Sequence, residues 1–525
     1  MAYLDRATAL DPQISTDLLS SRDLLTSTGP LHATGDPTHG DRPTAPDHLP
    51  AADSVDGAPA RDSSDPDPTA HHDDPTATAP AHPGHNPAHR PTHLLVADLA
   101  RLVAIPSVGS LPQHAADLDR SARLVADLFK GVGVPQVEIL DDVAAPAVLG
   151  HWPGPPGTPT VCLYAHHDVQ PVGDLAEWRS DPWTLTGRGD RLFGRGTADD
   201  KAGIALHLAT LRAFAGRPPV GVKIFVEGEE ETGSPHLDDF MARHGHRLEA
   251  DAFIVADSGN WAQGQPSFTV ALRGVTGCTV EVRTLDHGVH SGQYGGVLPD
   301  AVTALIHLLA SLHHPDGSVA VPGLETDLHF DLDYPHARYR RESGILDGVR
   351  YLGSGSIADR AWAGPAITVI GLDVTPIAEA SNTLAPSARA RISLRVPPTI
   401  SGADAQAKLI AHLSQHVPWG AHLTITPATT GDPALVDLTS PLAAKATQAY
   451  TEAFSRPPVH MGQGGSIPLV NALVDAFPEA TVLATAVCDP ESRMHAPDES
   501  VHLGDLLGQV RAQVRFLELL GQLQQ

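Results

Sequence analysis

Cysteine, positive charge and long apolar runs are all scarce in this chain. Its three cysteines, Cys162, Cys278 and Cys488, are too few and too scattered for a disulfide framework or a thiolate metal cluster. Each lies in or beside an apolar run, so core packing is their expected role. Lys and Arg number 35 against 62 Asp and Glu, and the resulting net charge of −27 leaves little to neutralise phosphates, which excludes nucleic acid as the default partner. No stretch approaches the roughly 18 uninterrupted apolar residues of a membrane helix, and no basic start is followed by an apolar signal region. A cytoplasmic protein with no membrane partner is the expectation.

What is present is length. The chain has 525 residues, of which 41% are hydrophobic, too many for one ordinary domain and enough for substantial cores. Composition shifts abruptly near residue 92. Residues 1–92 hold 14 of the 47 prolines and 14 Asp but no Glu, Lys, Trp or Phe. The stretch Pro59–Thr92 has no apolar periodicity and cannot bury enough surface to offset chain entropy, so residues 1–92 are expected to form a disordered extension. Apolar spacing near Ser15–Leu25 would suit one short helix within it. Limited proteolysis should therefore trim the chain to a core beginning near His93 with activity intact; a trimmed core that unfolds or loses activity would move that boundary.

From His93 the pattern is globular. LLVADLARLVAIPSV reads as an amphipathic helix stopped before Pro106, and LDRSARLVADLFKGVG as another closing on glycine. Short runs rich in β-branched residues recur: TVCLYA, VKIFVE, AFIVA and ATVLATAV, with helical stretches such as GIALHLATLRAFAG between them. That alternation predicts an α/β domain with a mostly parallel sheet. From about Ser267 a second block reads strand, helix, strand, strand, helix, strand, which suits a small split βαβ, ferredoxin-like α+β unit. The expected organisation is a catalytic domain in two parts, 93–266 and 432–525, interrupted by a lid of residues 267–431.

Polar residues fall where the strands end. His166 and Asp168 follow VCLYA, Glu229–Glu231 follow VKIFVEG, and Asp257 follows AFIVA. Asp199 and Asp200 precede a helix, and His495 lies in a loop after ATVLATAV. Open α/β sheets place their sites at the carboxyl ends of strands. Each residue alone is ordinary turn chemistry. Together, imidazoles and several carboxylates without thiolates describe an oxygen and nitrogen site for zinc, manganese or cobalt.

The stretches YAHHDVQP, EWRSDPW, LFGRGTADDKAG, VEGEEETGS, VADSGNW, VHSGQYGG, ISLRVPP, GQGGSIP and MHAPDES stand in an order that resembles the dinuclear metallopeptidase family of carnosinase-type dipeptidases, glutamate carboxypeptidase, acetylornithine deacetylase and succinyl-diaminopimelate desuccinylase. EWRSDPW and the paired Asp of GRGTADDK resemble the dipeptidase branch most. The resemblance implies two divalent ions per subunit, zinc first with manganese or cobalt as alternatives. It implies that His166 and Asp257 ligate one ion, Glu231 and His495 the other, and that Asp199 bridges them. Asp168 would orient His166, and Glu230 would be the general base. His290 would complete the site of a neighbouring subunit in a homodimer, and Arg395 would hold the carboxylate of a small peptide substrate. Ala165, His167, Ala202, Gln463 and Asp498 depart from the commoner pattern, and Gln463 bears on substrate preference. The expected activity is hydrolysis of dipeptides or similar short peptides. An N-acyl-amino-acid deacylase or desuccinylase with the same centre is the nearest alternative, and a non-catalytic binding protein the alternative of another class.

Overall fold

The computed structural model describes residues 90–142, 145–465 and 467–523. The acidic, proline-rich extension and the short helix suited to Ser15–Leu25 lie outside the described residues. The first helix, α1 (Arg90–Val103), begins slightly ahead of His93 and is followed by α2 (Ala115–Gly131). Strands β1 (Gln136–Leu140), β2 (Ala147–Trp152) and β3 (Thr160–His166) lead to helix α3 (Lys201–Ala213), then β4 (Gly221–Glu227), β5 (Ala252–Gly259) and β6 (Ser267–Leu272). The chain then builds a second layer from β7 (Gly274–Arg283), α4 (Ala301–Ala310), β8 (Ala366–Asp373), β9 (Ser387–Val396), α5 (Gly402–Gln415) and β10 (His422–Pro427). It returns with β11 (Ala434–Leu435), α6 (Pro441–Phe454), β12 (Val459–Gln463), β13 (Thr481–Cys488) and α7 (Leu503–Gly521).

Among the described residues the large sheet has the order β1-β2-β4-β3-β5-β13-β6-β11, with β12 alongside β6. Its centre, β4-β3-β5-β13, is parallel throughout. Parallel strands are covered on both faces and so read as continuous apolar runs. In β3, Val161, Leu163 and Ala165 pack on one face with Phe129, Ile204 and Phe516, while Cys162 and Tyr164 pack on the other with Phe225 and Phe253. The three cysteines are buried and unpaired.

The inserted block is a separate four-stranded antiparallel sheet of order β8-β9-β7-β10. Helices α4 and α5 pack through Ala304, Leu305, Leu308, Ala405, Leu409 and Leu413 onto Val280, Ile392 and Leu394. The strand–helix–strand–strand–helix–strand order matches the sequence pattern. The start of the block does not: Ser267–Leu272, grouped with it by sequence, pairs with β11, β12 and β13 in the large sheet. The change of sheet falls at Arg273. The polar–apolar alternation of the sequence Ser267–Leu272 suits either sheet, although in the fold β6 is buried at all but one residue whereas β7 largely alternates.

A third, small sheet matters for the site. The hairpin Thr186–Arg188 and Arg191–Phe193 pairs antiparallel with Ser500–His502, bringing the segment before Asp199 against the segment after His495. Among the described residues no helix is long and apolar enough to cross a membrane.

Candidate metal centre

Each of the four parallel strands at the centre of the sheet delivers polar residues at its carboxyl end. His166 is the last residue of β3 and Asp168 stands two further on. Glu230 and Glu231 form a 3₁₀ turn just after β4. Asp257 lies near the end of β5, and His495 in the loop beyond β13. Asp199 comes from the loop before α3. The donor atoms gather into two groups, His166 with Glu230 and Asp257, and Asp199 with Glu231 and His495, the atoms of each lying within 4.8 Å of one another.

Asp199 joins the groups. Its Oδ1 lies 2.9 Å from His166 Nε2 and its Oδ2 lies 2.8 Å from His495 Nε2. Asp257 Oδ1 is 3.9 Å from His166 Nε2, and Glu231 Oε2 is 3.2 Å from His495 Nε2. Asp168 couples the two sides: its Oδ1 is 3.3 Å from His166 Nδ1, and its Oδ2 accepts the Glu231 N–H at 3.0 Å. The Gln170 N–H donates to Glu231 Oε1 at 3.1 Å.

The electrostatics suit cations. Burial pushes the Glu230 carboxyl up to about 8, and the neighbouring Asp199, Glu231 and Asp168 charges push the same way against His166. Asp257 is raised well above the carboxylate range by burial and by Glu230. Burial alone would raise Asp199, but His166 and His495 outweigh it and hold it below the ordinary range. His166 is raised although burial opposes this, because Asp168 and Asp199 face it. Hydrogen bonds to Asp199 and Glu231 push His495 up to about 10. Two imidazoles thus face an excess of largely buried carboxylates, and the field that holds protons on them is one that attracts divalent cations. The donor set, oxygen and nitrogen without sulfur, fits zinc, manganese or cobalt.

The loop bearing His495 is strained. Arg493, His495 and Asp498 all have positive φ, at 55°, 61° and 60°, each costing about 1–3 kcal/mol. Arginines of the neighbouring hairpin hold it: Arg191 Nη1 bonds Asp489 Oδ2 at 2.9 Å, and Arg188 Nη2 bonds Asp498 Oδ1 at 3.0 Å. Asp498, which departs from the commoner asparagine, therefore has a cationic partner here. His167 is buried, sits 2.7 Å from the Pro146 carbonyl through Nε2, and is held below its usual range by burial. Ala202 packs in the core without a Cβ conflict of the kind found at Gly203, where an added Cβ would stand 2.4 Å from Asp200 Oδ1.

His166, Asp168, Asp199, Glu230, Glu231, Asp257 and His495 are thus brought together. His290 and Arg395 are not, and no hydrogen bond or ion pair joins either to the cluster among the described residues. His290 is exposed, in a two-residue strand paired with Thr383 and Leu384. Arg395 is half-buried near the end of β9. The sequence motifs assign no role to Glu499, Arg195 or Gln170, although all three stand inside them, in MHAPDES, LFGRGTADDKAG and YAHHDVQP.

Comparison with known proteins points the same way. The model of peptidase family M20/M25/M40 matches residues 162–519. A cysteinylglycine-S-conjugate dipeptidase of Corynebacterium striatum is 33% identical over 433 residues, covering 81% of this chain and 95% of that protein. A β-Ala-His dipeptidase of Rattus norvegicus is 28% identical over 346 residues, covering 61% and 70%. The crystal structure of human carnosine dipeptidase 1 shares the fold, with a TM-score of 0.66 at 23% identity over 82% of this chain and 97% of that one. Donor clusters at the carboxyl edge of a parallel sheet, on a chain so matched over most of its folded length, place it in the peptidase family M20/M25/M40, as a metal-dependent hydrolase of peptide bonds.

Proposed function

We propose that the protein hydrolyses dipeptides with a pair of divalent ions, zinc first. The observation that carries this reading is the Asp199 carboxylate, whose two oxygens face two different histidines at 2.9 and 2.8 Å. His166 and Asp257 would hold one ion, His495 and Glu231 the other, with Asp199 shared. Divalent ions in such a pair supply Lewis acidity, polarising a carbonyl and lowering the pKa of water. Glu230, largely buried and raised to about 8, is suited to take a proton from the attacking water and pass it to the leaving amine. Asp168 keeps the His166 ring oriented.

The lid supplies the remaining groups. His290 Nδ1 accepts the Gly292 N–H at 3.1 Å, which leaves Nε2 as the ring donor in the neutral form. Such a donor, exposed on the lid, suits an oxyanion in the site of a second subunit. The same domain supports a homodimer: β8 is an edge strand, and its own Val369, Ile370 and Leu372 are 36%, 58% and 56% exposed, an apolar edge that natural sheets cover. Arg395 has a planar guanidinium matched to a substrate carboxylate. Dipeptides are favoured over N-acyl amino acids by the relatives' own activities and by the dipeptidase-like motifs.

Chelation tests the reading. Stripping the protein with a chelator should abolish turnover of a Cys-Gly or β-Ala-His probe, and reloading with zinc, manganese or cobalt should restore it. Unchanged turnover after verified metal removal would refute it. Equal or faster turnover of N-acetyl or N-succinyl amino acids would transfer the activity to the deacylase alternative.

A further inference from the structure

One buried carboxylate that the mechanism above does not use ties the metal-binding loops together. Glu499 is fully buried. Its Oε1 accepts the backbone N–H groups of Ala198 at 2.8 Å and Asp199 at 3.2 Å. Its Oε2 accepts the Gly196 N–H at 3.1 Å and Arg195 Nη1 at 2.5 Å. Arg195, 1% exposed, also donates through Nη2 to the Pro171 carbonyl at 3.0 Å, in the segment just after Asp168 and Gln170. The contacts of Glu499 thus reach the backbone of Asp199 and of the residues just before it, and Glu499 itself follows His495 by four residues in a loop with three positive-φ side-chain-bearing residues.

We propose that Glu499 is a positioning residue for metal binding: its carboxylate holds the Asp199 backbone where one Asp199 oxygen meets each histidine. The proposal rests on the reading that Asp199 is the shared ligand. Two other carboxylates of the same loop do something different. Asp489 and Asp498 bond to Arg191, Arg188 and Arg179 and make no hydrogen bond to residues 196–199. They steady the loop from the hairpin side. Glu499 alone of the three carries the geometry across to Asp199. Its ionised form is required because all four of its partners are donors. An amide in its place would set an N–H against an N–H on one side or the other.

The test uses the full chain and cobalt(II) as both probe and reporter. Glu499→Gln should lower cobalt affinity, measured by chelator competition, by about 10–100-fold. At saturating cobalt its visible spectrum should differ from that of wild type, because the shared carboxylate is displaced. A role confined to folding would leave the saturated spectrum unchanged. Asp498→Asn, which weakens an ion pair of the same loop without touching the Asp199 segment, should keep the wild-type spectrum. Should Glu499→Gln fail to fold, the double variant Arg195→Met/Glu499→Met removes both buried charges together and should give the same loss of affinity. Wild-type affinity and spectrum in a folded Glu499 variant would overturn the proposal, and so would loss of the fold in both. Asp199→Asn separates the two readings. If it binds cobalt as wild type does, the shared-ligand reading fails; if it loses cobalt while Glu499→Gln does not, only the role of Glu499 fails.

Discussion

Replacing Glu230 with glutamine should leave a folded protein that retains its metal and turns over at least about 100-fold more slowly. Glutamine keeps the size of the side chain and its place in the turn after β4, but it cannot take a proton from water. The site favours proton uptake at this position, since burial and the adjacent carboxylates push Glu230 up to about 8. The same residue also belongs to the donor group of His166 and Asp257, so the experiment decides between two roles. Metal analysis of the purified variant beside its kcat separates them. Full metal with lost turnover marks a proton shuttle, lost metal marks a ligand, and near-normal turnover removes Glu230 from the chemistry.

Mixing two inactive variants should regenerate activity. In a dimer that shares sites across subunits, His290→Ala damages the partner's site, whereas Glu230→Gln damages its own. A mixed dimer then has one site with both lesions and one with neither. If equal amounts exchange at random, half of the dimers are mixed and half of their sites are intact, so about one quarter of wild-type activity should return. The reason to expect this lies in the placement of His290, exposed on the lid with its Nδ1 engaged by Gly292 and unattached to the donor cluster. Mixed dimers demonstrated by tagged co-purification that stay inactive would restrict each site to its own subunit.

Much of this molecule was legible one segment at a time. The runs TVCLYA, VKIFVE, AFIVA and ATVLATAV read as buried strands because their apolar residues are contiguous, and polar residues directly after each run had to emerge at a strand end. His166, Glu230, Glu231 and Asp257 were located this way, without any long-range information. The strand–helix–strand–strand–helix–strand order of the lid was likewise a matter of local period. Pairing across the chain was not local. Whether Ser267–Leu272 joins the large sheet or the small one depends on partners at residues 434–435, 459–463 and 481–488, and its own alternation suits either. That His495 meets Asp199 from 296 residues away, and that Glu499 holds the Asp199 backbone alongside Arg195 from 304 residues away, follows from the short sheet joining the hairpin after Thr186 to Ser500–His502. The sequence alone determined which residues stand at strand ends, because burial period and turn chemistry are properties of neighbouring residues. The tertiary structure decided which of those ends share one crevice and which buried carboxylate holds them there, because backbone hydrogen bonds between distant segments carry no signature in either segment alone.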